Sequence, residues 1–135
     1  MKVCVLQPDY STSAVDYQYY DPARHLAPLL PNDTVDTVFL NKLTTYKQLK
    51  ELSKKGYDVF VNLCEGYLEW EVPSIDVIYT LELLDLPFTG PTSKLYDPPK
   101  ELMKYVAHCE GVKAAASPIA LLLLRIAALQ GLLPL

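Results

Sequence analysis

Short apolar runs alternate with amphipathic stretches along most of this chain. Lys2 to Gln7 is apolar at nearly every position and is stopped by Pro8, as expected of a central parallel strand, because proline cannot donate to a ladder. Val35 to Leu40 reads as a second strand and Val59 to Leu63 as a third, and Leu86-Pro87-Phe88-Thr89-Gly90 is short enough for a fourth strand closed by Gly-Pro. Between them lie four helical stretches. Asp21-Pro22 reads as an N-cap followed by proline at the first helical position, opening a short helix through Leu30. Thr45 and Gln48 have capping-box spacing, ahead of Tyr46, Leu49 and Leu52 as a buried face, with Lys54-Lys55-Gly56 as the stop. Pro73-Ser74-Ile75-Asp76 begins a third helix with Val77, Leu81 and Leu84 inward and Asp76 and Glu82 toward water. Asp97-Pro98 begins the last, with Leu102, Val106 and Cys109 on one face and Gly111 at its end.

Strand and helix therefore alternate four times, which predicts an α/β fold: a Rossmann-like three-layer domain over a four-stranded, mainly parallel sheet with right-handed crossovers. The expected domain spans residues 1–113. From Ala114 the composition shifts to an Ala/Leu-rich tail whose run Ile119 to Leu135 carries one charge, Arg125. A helix packing on apolar surface is the expected form of this tail, ahead of a membrane anchor. Disorder, or a segment brought in by an alternative exon, is the remaining reading.

Composition narrows the function. A net charge of −4 and no basic stripe argue against nucleic acid as partner. Cys4, Cys64 and Cys109 show no paired spacing, and the first two sit in or beside apolar strands, so a reducing, cytoplasmic setting is expected; the apolar run after Met1 is too short for a signal peptide. With only His25 and His108, a metal site is not expected. In open α/β sheets ligands bind beyond the carboxyl ends of the strands, which makes the loop Asn62 to Glu71, with three glutamates, the leading site candidate. The tyrosine-dense piece Asp16 to Asp21 reads as a packed surface loop or a rim presenting phenols. Two related folds fail on single residues: Asn62 stands where a receiver domain needs a phosphate-accepting aspartate, and Gln7-Pro8-Asp9-Tyr10 replaces the glycine-rich turn of a dinucleotide site.

Three segments carry a resemblance: Val59-Phe60-Val61-Asn62-Leu63-Cys64-Glu65-Gly66; Val72-Pro73-Ser74-Ile75 with Leu81 to Gly90; and Pro99-Lys100-Glu101-Leu102-Met103-Lys104-Tyr105 to Val112. Together they resemble the amino-terminal, pre-ATP-grasp domain of D-alanine–D-alanine ligase-like ATP-grasp proteins over about Lys2 to Lys113. That family joins a carboxylate to an amine through an acyl phosphate, using ATP and Mg2+. The resemblance implies a substrate-binding role for Asp9 and Ser11, which match a glutamate and serine after the first strand, and for Glu65 and Gly66, which stand where the ligases carry His-Gly. It implies a nucleotide-phosphate role for Lys100. Glu65 in place of histidine points to a substrate other than D-alanine, a small carboxylate or amine. The two lobes that clamp ATP have no counterpart after Lys113, and no glycine-rich phosphate loop occurs in the chain, so tight ATP binding and ligase activity are not expected of these residues alone. The expectation is a truncated ligase domain, with a homodimer as a candidate assembly; the alternative is a non-catalytic small-molecule or protein-binding module of the same fold.

Overall fold

A computed structural model describes residues 1–17 and 19–112; the apolar tail expected from Ala114 lies outside the described residues. The chain divides into two compact units, Met1–Tyr96 and a second beginning at Asp97.

The first unit is α/β. Its three strands, β1 (Lys2–Pro8), β2 (Thr34–Leu40) and β3 (Val59–Asn62), form a parallel sheet in the order β2-β1-β3. Val3 faces Val35 on one side and Val59 on the other, and Leu6 faces Val38 and Asn62. The expected fourth strand is reduced to one parallel bridge between Phe60 and Phe88, closed by Phe60 N–H to Pro87 O at 2.8 Å and Thr89 N–H to Phe60 O at 3.0 Å. Proline at 87 lacks a donor and Gly90, at φ 105°, turns the chain away, so the ladder does not extend.

Two helices cover one face of the sheet. They are α1 (Thr45–Leu52) and α2 (Ile75–Leu83), and their Leu49, Leu52, Val77 and Leu81 pack on Cys4, Leu6, Leu40 and Phe60. Alternation along β1 puts Val3, Val5 and Gln7 on the opposite face, where they are also buried.

Several local expectations are corrected. Asp21 to Leu30 forms no α-helix, only the 3-10 turn Ala27–Leu29, because Pro28 and Pro31 remove donors a longer helix would need. The capping box at Thr45 does not form: Thr44 occupies the N-cap, the Thr45 hydroxyl donates to Asn41 O at 3.0 Å, and Gln48 is engaged by β2 and its loop. Tyr46 is 48% exposed and Thr45 takes the buried place. Asp76, expected in water, pairs with Lys42. The stop at Gly56 is as expected, in the left-handed region at φ 66°.

In the second unit the helix α3 (Lys100–Cys109) starts later than expected, with Pro99 rather than Asp97 at its N-cap, and it ends at Gly111, φ 71°. Its apolar positions Leu102, Val106 and Cys109 are exposed instead of buried. Among the described residues no helix is long and apolar enough to cross a membrane.

Candidate functional site

The order β2-β1-β3 places the carboxyl ends of β1 and β3 side by side, where the chain first runs out to one side of β1 and then to the other. Such a reversal opens a crevice above the sheet, and here the loops after β1 and β3 border it. The Leu63 amide donates to Leu6 O at 3.0 Å and continues the pairing of the two strands into the loop.

Asp9 leaves β1 with its amide bonded to Leu40 O at 2.8 Å and caps the 3-10 turn Tyr10–Thr12. Its Oδ1 accepts the Ser11 amide at 2.9 Å and its Oδ2 accepts the Asn41 side-chain amide at 3.3 Å. The Ser11 amide and hydroxyl, followed by Asn41, hold the Asp9 carboxyl below its usual value, so it is an anion at neutral pH. Asp9 and Ser11 thus lie together in the 3-10 turn that follows β1.

Beside Asp9 lies a cavity of about 340 Å3 lined by Gln7, Pro8, Tyr10, Asp21, Pro22 and Phe39, among others. The Tyr10 hydroxyl donates to Asp21, whose other oxygen meets Arg24 at 3.0 Å, and the Tyr10 ring stacks on Tyr17 with centroids 5.2 Å apart. Burial first, then the Asp21 carboxylate, pushes the Tyr10 phenol up, keeping it a donor. The wall is fixed by Gln7, whose Nε2 donates to Arg24 O at 2.8 Å and whose Oε1 accepts the Arg24 amide at 2.7 Å. Sequence reasoning passed over Gln7 and Asp21; the signal for Gln7 was a polar side chain inside an otherwise apolar central strand.

The loop after β3 is built from its own side chains. Asn62 Oδ1 accepts the Cys64 amide at 3.1 Å in an Asx turn, and the buried Cys64 thiol is pushed up by desolvation and is therefore no nucleophile at neutral pH. Gly66 stands at φ 129°, and a Cβ there would come 2.5 Å from the Trp70 ring. Its amide donates to the Tyr96 hydroxyl at 2.6 Å, and Glu65, exposed, helps to raise that phenol after burial. Glu71 Oε2 accepts the Ala14 amide at 3.2 Å and ties this loop to the one after β1. At its far end Ser74 and Asp76 meet Lys42 Nζ at 3.1 and 2.6 Å, a contact not foreseen from spacing because it spans more than thirty residues.

Lys100 is the exposed first residue of α3 in the second unit. Among the described residues no three His, Cys, Asp or Glu side chains gather as metal ligands. The loop amides that would cradle phosphate are already engaged: Ser11 by Asp9, Cys64 by Asn62, Gly66 by Tyr96. What the first unit offers is two carboxylates, Asp9 and Asp21, and the Tyr10 phenol that donates to Asp21, around a partly apolar cavity, a setting for a protonated amine on a small organic body.

Comparison with protein-family models, with curated proteins and with solved structures finds no match.

Proposed function

We propose that residues 1–113 form the substrate-side domain of an ATP-grasp carboxylate–amine ligase of the D-alanine–D-alanine ligase-like type. The observation that carries this reading is the Asp9 carboxylate, held ionised at the switch point of a parallel sheet and bonded to Ser11, opposite the loop of Glu65 and Gly66. In this reading the Phe60–Phe88 bridge is the remnant of the fourth strand of a three-layer pre-ATP-grasp domain, and the site works in the cytoplasm. Asp9 and the neighbouring carboxylates hold an amine-bearing substrate, and Ser11 orients it. ATP and Mg2+ chemistry, activation of a carboxylate as its acyl phosphate, belongs to further lobes, toward which Lys100 contributes a phosphate contact.

A second reading, a binding module without catalysis, is favoured by the cavity, whose lining residues all belong to the first unit. Titration of the chain with D-alanine, ethylamine and propionate, followed by amide NMR, tests the common element. The two amines should shift Ser11, Cys64 and Gly66, propionate should not, and Asp9→Asn should abolish the response. Shifts from propionate alone, or none at these amides, would overturn the site. The intact mass of the native protein separates the two readings: a species well above 15.2 kDa carries the ligase reading, and Lys100→Ala in that species should weaken ATP binding without unfolding it.

A further inference from the structure

The second surface of interest is the sheet's outer edge, along β2. Among the described residues β2 has a strand on one side only. The Thr34 amide donates to Met1 O and the Leu40 carbonyl accepts from Asp9, so the backbone groups of the even-numbered residues face β1. Those of Val35, Thr37 and Phe39 therefore point outward. The Phe39 carbonyl is taken by Gln48 Nε2 at 3.1 Å, while among the described residues nothing bonds the backbone of Val35 or Thr37.

Alongside this edge runs a groove of about 440 Å3 between β2 and α1, with Val38 and Leu52 in its lining and Lys47, Glu51 and Lys55 on its rim. The rim is basic in an acidic protein: residues 44–56 hold four lysines and one glutamate, and the glutamate is held by Lys54 at 2.7 Å. Among the described residues Lys47 and Lys55 form no ion pair. On the other face of β2, Phe39 is 48% exposed. An unpaired edge, an apolar groove beside it and a rim that stays net positive, with Glu51 held by Lys54 and Asp36 on the same face of β2 accepting from the Tyr57 hydroxyl, suit the capture of an extended peptide.

We propose that the β2 edge binds an extended acidic peptide segment as a fourth strand. The main chain of the segment pairs with Val35, Thr37 and Phe39; an apolar side chain enters the groove over Val38 and Leu52; carboxylates on the same side meet Lys47 and Lys55. Charge selects this occupant over two others. A second copy paired edge to edge through β2 would carry its α1 on the same side of the joined sheet and set four lysines against four. The chain's own residues 113–135 contain Lys113 and Arg125 and no acidic residue. The proposal does not rest on the ligase reading: of the residues it uses, Phe39 alone also lines the cavity beside Asp9, while Val35, Thr37 and the groove of Val38, Lys47, Leu52 and Lys55 lie outside that lining.

The test is a titration of the full 135-residue chain with a synthetic heptapeptide, Thr-Glu-Thr-Val-Thr-Glu-Thr, blocked at both ends, read by amide NMR and hydrogen exchange. The Val35, Thr37 and Phe39 amides should shift and gain protection, while Thr34, Asp36 and Val38, already turned toward β1, should not. Lys47→Glu with Lys55→Glu should weaken binding about tenfold or more, as should the peptide with lysine in place of both glutamates. Thr37→Pro removes an outward amide that no partner uses, so the fold should survive and binding should vanish. No response of these three amides at millimolar peptide, or binding indifferent to Thr37→Pro, would overturn the proposal. Shifts of the same amides that grow with protein concentration in the absence of peptide would overturn it in favour of self-pairing.

Discussion

At the scale of single residues the crevice depends on positions where backbone and side chain meet. Gly66 tolerates φ 129° only for want of a Cβ, and the atom that alanine would add falls on Trp70. Trp70 is 43% exposed and its ring has room to swing, so the clash is relieved while the backbone strain persists. Gly66→Ala should cost about 1–3 kcal/mol and alter tryptophan emission in the folded state, read by urea denaturation followed at the single tryptophan. Asp9 gives a pH signature. Its folded value lies below the ordinary 3.8, so its contribution is complete above 3.8 and fades as pH falls through the folded value. Asp9→Asn, which keeps a capping oxygen but loses the charge, should therefore be less stable than the wild type at neutral pH, with the two curves converging in strong acid. A gap that persists or widens in acid would mean that packing, not charge, is the cause.

Among the elements, α2 shows how burial sorts residues of equal hydrophobicity. Leu81 is fully buried against the sheet and Leu83, two positions on, is 73% exposed. Leu81→Ala should cost about 2–5 kcal/mol and Leu83→Ala within about 0.5, by thermal or urea denaturation of each variant. The same contrast explains what was legible in the chain beforehand. β1 and β3 could be read because their short, largely apolar runs leave no amphipathic alternative, β2 from its β-branched residues between turn signals, and Leu49, Leu52, Val77 and Leu81 were readable as core from their helical spacing. Tyr46 and Thr45 could not be ranked, since both lie near the inward stripe and only the depth of the neighbouring sheet decides between them. The helix expected from Asp21 looked sound by its cap, yet Asp21 serves Tyr10 and Arg24 instead, and no local pattern encodes a partner eleven residues away. Of the crevice, the loop after β1 was visible as a polar stretch ending a strand, while Asp9 and Ser11 within it were singled out only by the resemblance. Gln7, Lys42 and Asp76 were hidden because their partners are assembled by tertiary contact.

For the molecule as a whole, the parallel sheet makes nearly every important pairing long-range. β1, first in sequence, is the central strand and waits for β2 and β3, about thirty and sixty residues later, before its own groups are satisfied. The buried state of Cys4 and Cys64 is therefore a property of the completed sheet and of nothing smaller. Cys4 is pushed up to about 11 by burial, Cys64 is raised further by the same cause, and Cys109 lies exposed on α3. A maleimide at neutral pH should accordingly attach once to the native chain, at Cys109, and three times after unfolding, as intact mass would record. Rapid attachment at Cys4 in the native chain would contradict the burial of β1. The protein thus carries its own built-in folding gauge: one thiol on which a dye or spin label can be placed without altering the sequence, and two that stay silent for as long as the first strand keeps both of its neighbours.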